Sequence, residues 1–314
     1  MEKINSRILI VLKYIITIFA FILLYTRVDI RKAYILLKES RPEFFLGSLS
    51  LTPVFYFFKI FKWKRLIEKY CAVSPLPQVI RSYMYGLFYG YITPGRLGEL
   101  MRVRSLNGER SKLFSLVLYD RFLDLFAVAF LTLFFFGLWL DKNYYFIAAL
   151  FIMICFFYLK NIIILIKRIN FSRMRSLKEK INMLLEPVCG IKITDSLSFI
   201  LITLIPSIAV LFQFYFIING FKPVPVSIIF PVPAIQLSNL IPVTIGNMGL
   251  REWISIFFLE KYGISGEIAA NTSFCWFMIS ALPAVFYVAC SELLRVFKKL
   301  RQLIQGVIMS RYSA

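Results

Sequence analysis

Long apolar runs dominate the chain, and their lengths decide which of them can cross a membrane. A full crossing needs about 20 mainly apolar residues in a helix. Six runs meet this requirement and are predicted to be transmembrane helices: residues 8–26, 44–61, 113–140, 144–166, 197–218 and 268–290. The pattern therefore predicts an all-α polytopic membrane protein that forms one integral membrane domain over residues 1–314.

Two further apolar stretches, residues 75–93 and 226–245, are interrupted by prolines and polar side chains. Each ends in a glycine-containing turn that is followed by a short helix-like segment. Backbone that faces lipid cannot leave the helical conformation without stranding polar groups. We therefore expect re-entrant helical hairpins, which enter and leave the membrane by the same face, at residues 75–102 and 226–258.

Charge supports a membrane location and suggests an orientation. The chain is 59% hydrophobic and has a formal net charge of +20, with Lys and Arg mainly between the apolar runs. Basic connections tend to lie on the cytoplasmic side. Placing both termini in the cytoplasm puts every strongly basic connection inside except residues 28–41. We therefore predict a multi-pass protein of the cell membrane that contacts anionic lipids, and not a nucleic-acid-binding protein.

Residue types restrict the possible chemistry. The sequence contains no histidine, which removes histidine-based proton relays, metal sites and catalytic triads. The five cysteines form no CxxC pair and are interpreted as buried structural thiols. We therefore expect neither a metal site nor a cofactor.

Residues 168–186 have a different pattern from the apolar runs. Apolar residues recur there at three- and four-residue steps, and basic residues fill the other positions. This spacing predicts a basic amphipathic cytoplasmic helix on the anionic inner leaflet. Packing of the same helix against the rest of the protein is the alternative.

The two interruptions share a short motif. "TPGRLGELMR" and "TIGNMGLREW" both read T-x-G-x-x-G. The turn residues are Thr93, Pro94, Gly95 and Gly98 in the first hairpin and Thr244, Gly246 and Gly249 in the second. With the predicted topology, the hairpins open from opposite faces. We therefore predict an inverted repeat, as found in secondary transporters, with a first half at residues 44–140 and a second at 197–291.

Charged residues follow both turns. Arg96, Glu99 and Arg102 follow the first, and Arg251 and Glu252 follow the second. Glycines allow positive φ and close backbone approach, a helix that starts after the turn offers free N–H groups, and arginine suits phosphate. We expect these five residues to bind substrate. Alternatively, the arginines of the first turn only follow the positive-inside rule.

The span after the first hairpin contains Asp120, Arg121 and Asp124 within one helical arc. Each charge at mid-bilayer costs about 2.5–3.5 kcal/mol on insertion scales, so the three should point inward. We expect Arg121 to pair with Asp124, which leaves Asp120 to meet Arg96 or Arg102. A substrate site and a purely structural ion network explain this pattern equally well. Asn271 occupies the position that matches Asp120 in the second half.

The segments "TPGRLGEL", "YDRFLDL" and "IPVTIGNMGLREW" together resemble the membrane domain of lysylphosphatidylglycerol synthases and its free-standing, flippase-like relatives. The resemblance covers roughly residues 44–292. It implies movement of a lipid between leaflets: an aminoacylated phospholipid, or a polyprenyl-linked lipid or glycolipid. The chain departs from the family pattern at Asn247, where a glycine is usual. It ends soon after its last span, so we expect a free-standing member without the soluble aminoacyl-transfer domain.

The charged positions that match the family pattern are Arg96, Glu99, Asp120, Arg121 and Asp124. The favoured hypothesis is a lipid translocase for an anionic or lipid-linked phosphate headgroup. A membrane-embedded transferase with Asp120 or Glu99 as general base is one alternative. A non-catalytic partner subunit of a glycosyltransferase or lipid-synthesis enzyme is another.

Overall fold

The computed structural model describes residues 28–93, 96–158, 190–240 and 247–312, together with residues 22, 26 and 244. These residues form α-helices and 3₁₀ helices, and no strand occurs among them. The α-helices are α1 (Ile30–Lys38), α2 (Pro42–Ser50), α3 (Thr52–Tyr70), α4 (Leu76–Ile92), α5 (Arg110–Leu140), α6 (Asn143–Phe157), α7 (Ile193–Phe221), α8 (Val232–Ser238), α9 (Leu250–Leu259) and α10 (Gly266–Tyr312). The 3₁₀ helices are Leu97–Ser105, Val226–Ile229 and Glu260–Tyr262.

Four helical segments are long and apolar enough to cross a membrane. They are Pro42–Tyr70, which joins α2 and α3, Arg110–Leu140, Ile193–Phe221 and Gly266–Phe297. They contain four of the six predicted spans and confirm the prediction of a helical, polytopic membrane protein.

Two other predicted spans and the amphipathic helix lie wholly or partly outside the described residues. Only residues 22 and 26 of the span at 8–26 are described, and α6 covers only the first part of the span at 144–166. The predicted amphipathic helix at 168–186 lies entirely outside the described part.

Buried apolar side chains form two clusters, one beside each predicted hairpin. The first lies among α3, α4 and α5 and includes Trp63 and Leu116, which are fully buried. The second lies among α7, α8, α9 and α10 and includes Ile217 and Ile235. Phe55 packs against both clusters, so the two halves of the fold meet near this residue.

In the first hairpin, α4 runs towards the turn and the 3₁₀ helix Leu97–Ser105 returns beside it. Close contact depends on two glycines one helical turn apart in α4. A Cβ on Gly86 would lie 2.3 Å from Cγ of Arg102, and one on Gly90 would lie 2.6 Å from Cγ of Glu99. Small residues on α4 thus let the returning segment place both charged side chains in the interior.

The turn of the first hairpin is closed by Thr93. Its hydroxyl donates to the Tyr89 carbonyl at 2.6 Å and accepts from the Gly98 N–H at 2.7 Å. A Cβ on Gly98 would lie 2.2 Å from the Tyr89 oxygen. Gly98 is therefore required for close backbone approach, whereas Arg96 adopts the left-handed conformation, with φ of 55°. Pro94 and Gly95 lie outside the described residues.

The second hairpin contains the 3₁₀ helix Val226–Ile229 and α8, and α9 follows its turn. Gly249 precedes α9 with φ of 84°, a value that favours glycine. The Glu252 carboxylate accepts from the Gly249 N–H at 2.7 Å, so this side chain caps the start of α9. Thr244 is buried next to this turn, and Gly246 lies outside the described residues.

The exception in the charge pattern, residues 28–41, contains a helix and not only a loop. Asp29 caps α1, because its carboxylate accepts from the N–H groups of Arg31 at 2.9 Å and Lys32 at 3.2 Å. Ala33 and Leu36 pack α1 against the second apolar cluster. Arg31, Lys32 and Lys38 of this segment therefore belong to a short amphipathic helix.

Candidate functional site

Seven charged side chains from three elements meet in the interior of the first half. They are Lys59 and Lys62 from α3, Glu99 and Arg102 from the 3₁₀ helix, and Asp120, Arg121 and Asp124 from α5. All are buried except Arg121, whose side chain is 23% exposed. The three charges of the α5 span therefore point inward, as the sequence predicted.

Two lysines of α3 hold the carboxylates of α5. Nζ of Lys62 lies 2.8 Å from Oδ1 of Asp120 and 2.6 Å from Oδ1 of Asp124. Nζ of Lys59 lies 2.6 Å from the same Asp124 oxygen. Asp124 is thus neutralised from α3 and not from its own helix.

Arg102 connects the first hairpin to α5. Nη1 lies 2.7 Å from Oδ2 of Asp120, and Nη2 lies 3.0 Å from Oε2 of Glu99. Its guanidinium carbon is 4.3 Å from the centroid of the Tyr83 ring and 5.6 Å from that of Trp63. Of the two partners expected for Asp120, Arg96 or Arg102, the structure thus shows Arg102.

The prediction of an ion pair between Arg121 and Asp124 is wrong. The Arg121 guanidinium contacts the Glu99 carboxylate, so it points towards the 3₁₀ helix. Asp124 lies nearly one helical turn further along α5 and meets the two lysines of α3. The physical reason is that α5 packs between two elements, and each of its charged residues is paired across one of these interfaces: Asp124 with the lysines of α3, and Arg121 with Glu99 of the 3₁₀ helix.

In the second half, Arg251 and Glu252 form a smaller buried group at the start of α9. Nε of Arg251 donates to Oγ of Ser273 at 2.8 Å and to Oε1 of Glu252 at 3.1 Å. The Arg251 guanidinium also lies 4.8 Å from the centroid of the Phe277 ring. Because Glu252 caps α9, the start of this helix already has an anionic partner, contrary to the expectation of free N–H groups.

Asn271, the position matched to Asp120, does not join this group. Its side-chain amide donates to the Ala33 carbonyl of α1 at 2.8 Å. Ser273 takes the place beside Arg251 instead. The second half therefore does not reproduce the carboxylate that Asp120 supplies in the first.

The two turns approach each other at the end of α8. Arg96 and Asn247 each follow a turn threonine by three residues, and both have φ of 55°. Nη1 of Arg96 donates to the Asn239 carbonyl at 3.2 Å, and the side-chain amide of Asn247 donates to the same oxygen. One backbone carbonyl thus links both hairpins.

A cavity, here called the central cavity, lies between the two turns and has a free volume of about 80 Å³. This volume is enough for several water molecules or one small polar group. Its charged lining residues are Lys59, Arg96, Arg102, Arg121, Asp124 and Arg251. Gln236, Asn239 and Ser280 add polar groups, and aromatic side chains complete the wall. Glu99, Asp120 and Glu252 lie behind the arginines as their partners.

The charges of this region do not cancel. Lys59, Lys62, Arg96, Arg102, Arg121 and Arg251 supply six positive charges, and Glu99, Asp120, Asp124 and Glu252 supply four negative ones. Among the described residues, the cavity and its ion-paired partners therefore carry an excess of two positive charges.

Lys59 and Lys62 were not among the site residues predicted from the sequence. Both are almost fully buried. A usable signal was present, because they stand three residues apart in the aromatic run "FYFFKIFKW" and so share one helix face.

The helices and the buried ion network define the class of the protein, a polytopic helical membrane protein with a charged interior. A sequence model of the family described as "Lysylphosphatidylglycerol synthase TM region" matches residues 10–286. The match covers most of the 314-residue chain, and the protein belongs to this family. The family indicates a function related to membrane lipids. A search of curated proteins found no match.

Proposed function

We propose that the protein is a lipid translocase of the flippase type, which moves an anionic or lipid-linked phosphate headgroup between the leaflets of the cell membrane. The observation that supports this function is the excess of two positive charges around the central cavity. Unbalanced charge in a medium of low dielectric constant is costly. A bound anion with about two negative charges would remove that cost, as a phosphate monoester or diphosphate headgroup does.

Each group of side chains has a role in this proposal. Arg96, Arg121 and Arg251 line the cavity and bind phosphate oxygens, because a guanidinium presents paired donors to them. Arg102 is held by carboxylates at both of its terminal nitrogens, so its main task is to fix the first hairpin on α5. The carboxylates keep the arginines oriented in the absence of lipid.

The sign of the charge excess also bears on the choice of lipid. A lysyl-bearing phosphatidylglycerol headgroup carries more amino groups than phosphates and is itself cationic. The cavity would repel such a headgroup and attract a phospholipid, polyprenyl phosphate or polyprenyl diphosphate. We therefore propose that anionic lipids are preferred over aminoacylated ones.

The two hairpins suggest a path for the lipid headgroup across the membrane. In the predicted topology they open to opposite faces, both termini are cytoplasmic, and residues 44–140 and 197–291 form an inverted repeat. The matching left-handed residues Arg96 and Asn247 support this relation, because they stand at equivalent positions of the two turns. A headgroup would pass between the turns while its acyl chains stay in lipid.

The test is scrambling of acyl-labelled fluorescent phosphatidic acid in liposomes, read by dithionite quenching of the label that reaches the outer leaflet. We expect the wild-type protein to accelerate scrambling and Arg96→Ala to abolish it while the protein still inserts and folds. Arg110→Ala is the matched control, since Arg110 is exposed at the start of α5. Equal scrambling by wild type and Arg96→Ala would refute the assignment of the site.

The same liposomes test the alternatives. Mass spectrometry of the recovered lipid should show unchanged composition, whereas a transferase would produce a chemically altered lipid. If no scrambling is seen but a membrane glycosyltransferase loses activity without this protein, the role of partner subunit replaces that of translocase.

A further inference from the structure

A second basic cavity lies on the opposite side of α4 from the central cavity. It has a free volume of about 470 Å³ and is formed by α4, the 3₁₀ helix Leu97–Ser105 and α10. We call it the arginine pocket and define it by Arg81, Tyr85, Tyr89, Arg104, Glu292 and Arg295. It shares no lining residue with the central cavity.

Helical periodicity explains how α4 serves both cavities. Tyr83, Leu87 and Tyr91, spaced by four residues, line the central cavity. The series Arg81, Tyr85 and Tyr89 has the same spacing and lines the arginine pocket. Residues at such spacing share one face of a helix. The two cavities are therefore separated by the body of α4.

The arginine pocket has its own excess of positive charge, because three arginines face a single carboxylate. Nη1 of Arg295 lies 2.6 Å from Oε1 of Glu292, which also accepts from the Tyr85 hydroxyl. Among the described residues, no carboxylate lies within ion-pair distance of Arg81 or Arg104. The two unpaired arginines thus leave the pocket with about two positive charges to be balanced.

Tyr85 contacts two of the three arginines of the pocket. The guanidinium carbon of Arg81 lies 5.4 Å from the Tyr85 ring centroid, and that of Arg295 lies 5.7 Å from it. The Tyr85 hydroxyl also contacts Oγ of Ser291 at 2.7 Å. Nε of Arg81 is buried and has no hydrogen-bond acceptor in the described part of the chain. The Arg81 guanidinium is therefore positioned by an aromatic ring and not by a carboxylate, which leaves it available to an anion.

We propose that the arginine pocket binds a phosphate group, carried either by a lipid headgroup or by a soluble phosphate compound. Paired donors of arginine match phosphate oxygens, and three arginines converge on a space several times larger than the free volume of the central cavity. In the predicted topology the pocket lies near the cytoplasmic membrane surface, since the span Gly266–Phe297 ends just after Arg295. This site does not depend on the translocase proposal.

The first test maps contacts with a photoactivatable phosphatidic acid that carries its reactive group near the phosphate. The protein is reconstituted in phosphatidylcholine nanodiscs with this lipid, irradiated, digested and analysed by mass spectrometry. We expect labelled peptides that contain Arg104 or Arg295. In the double variant Arg81→Gln/Arg104→Gln, the labelling should require roughly tenfold more lipid for each arginine removed, as expected for lost charged hydrogen bonds.

The matched control is Arg65→Gln/Arg110→Gln. It removes the same charge from exposed arginines that do not line the pocket, so its labelling should equal that of the wild type. Unfolding of each variant followed by tryptophan fluorescence separates lost binding from lost structure. The rescue variant Arg81→Lys/Arg104→Lys keeps the charge without the paired donors and should label at an intermediate concentration.

The second test separates the two sources of phosphate by isothermal titration of the detergent-solubilised protein with inorganic phosphate. Heat of binding that disappears in Arg81→Gln/Arg104→Gln supports a soluble ligand, and pocket labelling without such heat supports a lipid. The proposal is overturned if neither probe reaches the pocket, or if Arg81→Gln/Arg104→Gln and its control Arg65→Gln/Arg110→Gln respond alike. Neither the labelling nor the titration measures transport. A negative result in the lipid-scrambling assay would therefore leave both of these tests unaffected.

Discussion

Replacing Lys62 by methionine tests how the buried charges support the fold. Lys62 is completely buried and bridges Asp120 at 2.8 Å and Asp124 at 2.6 Å. Methionine has a similar length and no charge, so the variant leaves two carboxylates in the interior with one cation fewer. Each keeps one partner, since Asp120 still meets Arg102 and Asp124 still meets Lys59.

The expected loss follows from this arrangement. Removing one member of a buried ion pair destabilises a protein by about 3–5 kcal/mol, because the remaining charge stays buried without compensation. The retained partners place Lys62→Met at the lower end, at about 3 kcal/mol of unfolding free energy. Adding Asp124→Asn should recover part of this loss, because the double variant no longer buries the carboxylate that has lost one of its two lysine partners.

The measurement is equilibrium unfolding in mixed micelles, followed by tryptophan fluorescence. Trp63 is a suitable reporter, because it is fully buried next to Lys62 in α3. Lys64→Met is the control, because Lys64 is in the same helix and its contact with Glu68, at 3.6 Å, is partly exposed. Such a pair contributes about 0.2–1 kcal/mol at most. Equal losses for Lys62→Met and Lys64→Met would refute the view that the lysine of the interior is a required counter-ion.

Three further substitutions test the packing around the site, and each can be measured by the same unfolding experiment. Gly98→Ala should lower stability by about 1–3 kcal/mol, since its Cβ would meet a carbonyl oxygen of α4 at 2.2 Å; an unchanged stability would contradict the observed turn. Asn271→Ala should cost about 1 kcal/mol by releasing the Ala33 carbonyl, and should leave lipid scrambling intact because Asn271 lies away from the central cavity. Gln213→Leu should cost about 1–3 kcal/mol, because it leaves the buried Trp276 indole N–H, 3.3 Å away, without its acceptor; an unchanged stability would contradict this contact.

The sequence predicted the four spans that the described residues contain, because bilayer thickness imposes a length that an apolar run must match. The sequence also located the two glycine-containing turns and the arginines beside them, because glycine and arginine are uncommon within an uninterrupted apolar span. The inverted relation of the two halves and the topology stay predictions.

Side-chain direction was harder to predict, because it depends on the neighbouring element. The burial of Lys59 and Lys62, for example, depends on α5, which places two carboxylates opposite them. The predicted partner of Arg121 was wrong for the same reason, because its actual partner, Glu99, belongs to another segment. Glu252 was expected to bind substrate, and only the fold shows that it also caps its own helix.

The carbonyl of Asn239 has a mechanical consequence. A carbonyl oxygen has two lone pairs and can serve Arg96 and Asn247 together only while both donors stay within about 3 Å of it. Any displacement that separates one turn from the other must break at least one of these bonds. Because Asn239 itself belongs to the second hairpin, its bond with Arg96 couples the two hairpins directly, and a shift of one turn strains its contact with the other.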